Sequence, residues 1–205
     1  MPTPAGTVAG MRLAVLVSGT GTILDAMADA GLPVSFVVAD RPCRAIEVAE
    51  GHGIPASVVE RDSFGDDFDR TVYTEKLTAE LEAADIDLIA MAGFGTILEQ
   101  PIYERFAGRI LNTHPSLLPA FPGWRAVDEA LAHGVQVTGC TVHYAELEVD
   151  SGPILAQETV PVLSDDDVAS LHERIKAVER RLYIDTIRFL LEVSPTGEVP
   201  GGGHE

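Results

Sequence analysis

Asn112 and His114 close the apolar start of "RILNTHPSLLPAFPG", residues 109–123, and three prolines and a glycine follow directly. Polar residues at positions i and i+2 of a strand project to the same side. An asparagine amide can donate to a carbonyl oxygen, and an imidazole can donate or exchange a proton near neutrality. Together at a sheet edge they could stabilise an oxyanion forming at a carbonyl. Pro115 restricts His114 to extended backbone, and Pro119 and Pro122 stiffen the loop beyond it. A hydrogen-bonded structural histidine is the plain alternative.

Asp150, in "VDSGPI", sits in a turn bent by Gly152 and Pro153. An acidic turn residue is ordinarily a solvated cap. Beside His114, its carboxylate would favour the charged imidazole; spacing alone does not bring the two together. "SGTGT", Ser18 to Thr22, reads as a strand-to-helix turn whose backbone N–H groups suit an anion such as phosphate, although a tight turn needs the same glycines. A dinucleotide fingerprint would require glycine at Leu24, which argues against a nicotinamide site. His143 reads as a pocket wall or a half-exposed strand position; His52, His133, His172 and His204 read as surface or helix-end residues. No His, Cys and carboxylate group has metal-ligand spacing, so no metal is expected. Neither a Gly-x-Ser-x-Gly elbow nor a complete P-loop is present.

The elements that must hold these residues alternate. Apolar strands are expected at about 12–18, in "LPVSFVVAD", in "IPASVVE" and in "IDLIAMAGFG". Helices are expected up to about Ala30, over "RAIEVAEGHG", and where Phe68, Val72, Leu77 and Leu81 recur at helical spacing. Such alternation with uniformly apolar strands predicts an α/β fold, a mostly parallel sheet covered on both faces. After "ILNTHPS" the pattern predicts a short helix near 125–132 and two extended, antiparallel segments in "VQVTGCTVHYAELEV" and "PILAQETVPVL". A long last helix is expected from about Ser164, with Asp165 to Asp167 in its first turn and Val168, Leu171, Ile175, Val178 and Leu182 on its packed face. Residues 1–10 read as a flexible leader, 11–192 as one domain and 193–205 as a flexible tail.

Of the 205 residues, 46% are hydrophobic, enough for a substantial core. The formal charge of −18 argues against nucleic-acid partners. No apolar run reaches the roughly 18 residues of a membrane span, and no secretory signal opens the chain, so a cytoplasmic protein without membrane partners is expected. Cys43 and Cys140 read as buried free thiols.

Five blocks, "VLVSGTGTIL", "MAGFGTIL", "ILNTHPSLLPAFPG", "GCTVHYAELEVDSGPILAQETVPV" and "LHERIKAVERRLY", occur in an order and at separations that closely resemble the glycinamide ribonucleotide formyltransferases, folate-dependent enzymes of purine biosynthesis. The resemblance spans about residues 12–190. It implies a single-domain, Rossmann-like formyltransferase fold that moves a formyl group from the co-substrate 10-formyltetrahydrofolate to the amine of glycinamide ribonucleotide, as a monomer or homodimer. By position, the catalytic residues would be Asn112, His114 and Asp150, with Asn112 and protonated His114 donating to the oxyanion. Gly21, Thr22, Ile23, Lys176 and Glu179 would bind the ribonucleotide, Glu179 at its amino end. Gly95, Thr96, Ile97 and Leu98, with Asn112 and with Glu146, Leu147, Glu148, Val149 and Asp150, would bind the folate. The chain departs from the family where Asn is common at Ile23 and Arg is common at Thr96 and near Gly65; Arg125 is a candidate replacement for the lost charge. Hydrolysis of 10-formyltetrahydrofolate, formylation of an amino sugar nucleotide and non-catalytic binding are the alternatives.

Overall fold

The computed structural model describes residues 10–193 apart from positions 64 and 66; the expected leader and tail, with His204, otherwise lie outside the described residues. Unbroken aliphatic runs form the centre of the sheet. β1 (Leu13–Val17) and β4 (Leu88–Met91) are buried along their whole length. β2 (Val34–Ala39), β3 (Ala56–Val58) and β5 (Ile110–His114) run parallel to them. β6 (Val137–Tyr144) and β7 (Ile154–Pro161) pair antiparallel at the far edge. The sheet has seven strands in the order β3-β2-β1-β4-β5-β6-β7. This is the mostly parallel sheet with an antiparallel C-terminal portion that the hydrophobic pattern predicts.

Alternation along the strands feeds two cores. Leu13, Val15 and Val17 face α1 (Thr22–Asp29), α2 (Arg44–Gly51) and α6 (Val168–Val193). Ala14 and Leu16 face α3 (Arg70–Ala83) and α4 (Gln100–Arg105). Each fully buried Leu, Ile or Val contributes about 1.5–3 kcal/mol relative to exposure. A smaller cluster joins Val127 of α5 (Ala126–Ala132) to Cys140, Val160, Leu171 and Ile175.

Several boundaries differ from expectation. α6 begins at Val168, so Asp165 to Asp167 precede its first turn; Asp167 Oδ1 accepts from Ser170 N at 2.8 Å, as an N-cap does. Val168 is 40% exposed, while Leu171 and Ile175 are buried. In α3 the inward face is Tyr73, Leu77 and Leu81; Val72 is 41% exposed and Phe68 precedes the helix. α4 has no expected counterpart, because six residues with Ile102 as the only buried one leave no periodicity to read. Cys43 is half-buried and Cys140 buried, both as free thiols. No helix among the described residues is long and apolar enough to cross a membrane.

Candidate active site

The strand order reverses between β1 and β4, which is where an open α/β sheet leaves a crevice at its carboxyl edge. The turns after β1, β4 and β5, the segment 143–150 and the inner face of α6 enclose a cleft of about 570 Å³ there.

β5 supplies both walls. Asn112 and His114 share one face, and Thr113 between them takes the other, where its hydroxyl donates to the Glu179 carboxylate of α6. The antiparallel register sets His143 opposite Asn112 and Thr141 opposite His114. One alternation thus delivers four polar side chains to one face of the sheet.

His114, buried, stands between two acceptors. Nε2 donates to the Phe121 carbonyl at 2.7 Å, and Nδ1 lies 3.3 Å from Asp150 Oδ2. The first is a hydrogen bond; the second is a close contact between ring and carboxylate that becomes an ion pair when the ring carries a second proton. Asp150 occupies the left-handed backbone region, φ 57°, a conformation that Asp tolerates better than most residues. Its Oδ2 also accepts from Gly123 N at 2.7 Å, fastening the proline-rich loop to the carboxylate. Nothing larger than glycine fits at 152, because a Cβ would lie 1.9 Å from the Tyr144 carbonyl oxygen.

The stiff exit of β5 is braced from below. Thr141 Oγ1 donates to the Ser116 carbonyl at 2.7 Å and accepts from Leu118 N at 3.1 Å. Gln157 Nε2 donates to the Leu118 carbonyl at 2.8 Å. The Leu118–Pro119 peptide is cis.

Across the cleft, Gly21 caps α1 with φ 74°, and a Cβ there would lie 2.8 Å from Ala45 Cα. Glycine is required at 21 by turn geometry and helix packing, whatever binds above it. Lys176 and Glu179 line the cleft together with His172 and Arg180 of the same helix. Burial pushes the Glu179 carboxyl above its ordinary pKa, outweighing the Thr113 hydrogen bond and the charges of Lys176 and Arg180. Burial and Lys176 both lower the pKa of His172.

Thr96 turns inward, where its hydroxyl donates to Asp40 Oδ2 at 2.7 Å. Burial alone would raise the Asp40 pKa, but hydrogen bonds from Arg41, Thr96 and Ser18 hold it below the ordinary range. Arg61 Nη1 reaches Thr96 Oγ1 at 3.4 Å, so Arg41 and Arg61 place cationic groups at this loop. Arg125 is exposed at the start of α5 and is not among the lining residues, so it does not replace that charge in the cleft.

The cleft thus gathers Asn112, His114 and Asp150, then Gly21, Thr22, Ile23, Lys176 and Glu179, then Thr96, Ile97, Leu98, Glu146 and Val149. Gly95, Leu147 and Glu148 fall outside its lining, Leu147 being 48% exposed. His172, read as a surface residue, belongs to the lining; its spacing of four from Lys176 and eight from Arg180 was the available signal. Trp124 and His143 line it as well. Thr141 and Gln157, which brace the loop, fall within the fourth block of the resemblance without a role there, and the β6–β7 register reveals it.

Residues 11–187 match the formyl transferase family, and the chain belongs to it. Over 184 residues it is 47% identical to a phosphoribosylglycinamide formyltransferase of Mycobacterium tuberculosis, covering 87% of this chain and 84% of that one. It is 39% identical over 179 residues to the trifunctional purine biosynthetic protein adenosine-3 of Homo sapiens, a match covering 84% of this chain and 17% of the relative. The crystal structure of glycinamide ribonucleotide transformylase 1 from Symbiobacterium toebii is similar with a TM-score of 0.84 at 41% identity, covering 90% of this chain and 89% of that one.

Proposed function

We propose that the chain transfers the formyl group of 10-formyltetrahydrofolate to the amine of glycinamide ribonucleotide. The observation that carries this reading is the convergence of Asn112, the buried imidazole of His114 and the Asp150 carboxylate 3.3 Å from it on one cleft wall.

In the proposed reaction the amine nitrogen attacks the formyl carbon, and the carbonyl oxygen becomes an oxyanion. Asn112 donates an N–H to that oxygen, and the positive imidazolium of His114 stabilises it. His114 Nε2 is committed to the Phe121 carbonyl, so the second donor is Nδ1–H. Nδ1 lies 3.3 Å from Asp150 Oδ2 with no hydrogen bond between them, which leaves its N–H for the oxyanion. The attacking nitrogen then loses a proton to Asp150, directly or through water. As the oxyanion collapses to the carbonyl and the bond from the formyl carbon to N10 breaks, Asp150 passes that proton to N10, giving tetrahydrofolate and the formamide.

Gly21, Thr22, Ile23, Lys176 and Glu179 are assigned to the ribonucleotide: backbone N–H groups of the loop for its phosphate, and the Glu179 carboxylate for its amino end. Thr96 to Leu98, Asn112, Glu146, Val149 and Asp150 are assigned to the folate. The deciding assay follows loss of the formyl group with and without glycinamide ribonucleotide. Loss that requires the amine supports transfer; equal loss without it identifies a hydrolase instead.

A further inference from the structure

His143 is a buried, titratable side chain that the proposed reaction does not use. It is 1% exposed and sits directly across from Asn112 in the sheet. Its Nδ1 donates to the Tyr144 carbonyl at 2.8 Å, which leaves Nε2 as a lone-pair acceptor. Asn112 Nδ2 donates to that nitrogen at 3.3 Å. The only carboxylate oxygen near Nε2 among the described residues is Asp150 Oδ1, at 3.7 Å, too far for a hydrogen bond. Burial pushes the imidazole pKa below its ordinary value, outweighing the Tyr144 carbonyl and the Asp150 charge.

This arrangement fixes two things. A terminal amide can be turned so that either its oxygen or its nitrogen faces a given neighbour, and the two choices are nearly isosteric. The Nε2 lone pair tolerates the nitrogen and repels the oxygen. The amide is thereby held with its second N–H available to the cleft that Asn112 lines. In addition, a neutral His143 donates nothing to Asp150 Oδ1. Among the described residues no hydrogen bond reaches that oxygen, whereas Oδ2 is taken up by Gly123 and faces His114. One carboxylate oxygen is left for a proton from the substrate side.

We infer that His143 is a positioning residue, which orients the Asn112 amide as an oxyanion donor through its Nε2 acceptor. The inference rests on the formyl-transfer reading, in that it assigns the oxyanion to Asn112. A residue that only fills space would act independently of Asn112; one that works through it cannot.

The test is a double-substitution cycle read as kcat for loss of the formyl group, using His143→Leu, Asn112→Ala and the pair. The expected loss for His143→Leu is about tenfold to a hundredfold, below that of deleting an oxyanion donor outright. In the Asn112→Ala background the same change is expected to shift kcat less than about threefold, and KM for the ribonucleotide is expected to hold throughout. His143→Gln, which restores an acceptor, is expected to recover most of the loss and keeps the cycle measurable if the leucine variant folds poorly. Multiplicative losses in the double variant would overturn the inference, as would a glutamine variant no better than leucine. Wild-type dependence on the amine is measured beside the cycle. Its absence would count against transfer, while the cycle would still read the oxyanion.

Discussion

His114 has a carbonyl at one nitrogen and a carboxylate at the other, and little water reaches it. In the proposed reaction the ring supplies charge, oxyanion donor and loop anchor together, so His114→Ala is expected to lower kcat at least about a hundredfold with the chain still folded. Steady-state kinetics and circular dichroism check both halves. Glu179 makes a different prediction, because burial raises its pKa. A glutamate whose folded pKa is raised holds its proton more tightly in the native state. Native stability is therefore lost as pH rises from the ordinary glutamate value toward the raised one. Glu179→Gln keeps an acceptor for the Thr113 hydroxyl and removes the ionisation. The expected result is a higher Tm than wild type at pH 7–8, a difference that shrinks toward pH 4, and a raised KM for the ribonucleotide. Thermal scans across pH read the first part. A Tm difference that grows on acidification would contradict it.

Among the elements, β5 and its exit carry most of the design. The alternation of Asn112, Thr113 and His114 was legible from period-two geometry, and the three prolines announced a stiff loop. What the loop is stiffened against was not legible, since Thr141 and Gln157 lie on strands whose register no local pattern specifies. Thr141→Val preserves shape but leaves Leu118 N buried without its acceptor, at a cost of about 1–3 kcal/mol. Denaturant unfolding should show that loss, together with a fall in kcat as the loop loosens. Asp165 to Asp167 show the reverse problem: acidic residues favour both a first helical turn and the cap before it. Only the Asp167–Ser170 bond decides between them.

For the whole molecule, hydrophobic pattern was sufficient to predict a mostly parallel sheet covered by helices on both faces, α4 excepted. The cleft was not predictable in the same way. It exists because β1 and β4 are neighbours and α6 returns across the sheet, contacts between residues far apart in sequence. Tyr183 marks that return: it is fully buried, and its hydroxyl donates to the Leu111 carbonyl at 3.0 Å. Tyr183→Phe is expected to cost about 0.5–1.5 kcal/mol of unfolding free energy, with a smaller effect on turnover than Thr141→Val. The family resemblance and the cleft geometry meet at Ile23 and Thr96. Ile23, in the first turn of α1, packs on the core and Thr96 turns inward to Asp40, so neither presents a polar group where the resemblance places one. Arg41 and Arg61 stand at the Thr96 loop instead.

The most direct measurement follows the label of formyl-labelled 10-formyltetrahydrofolate through a single turnover with glycinamide ribonucleotide. Label recovered in the formamide of the ribonucleotide, at a rate that collapses in Asn112→Ala and His114→Ala, is the predicted result. Label recovered as free formate, or transfer that survives both substitutions near the wild-type rate, would contradict it.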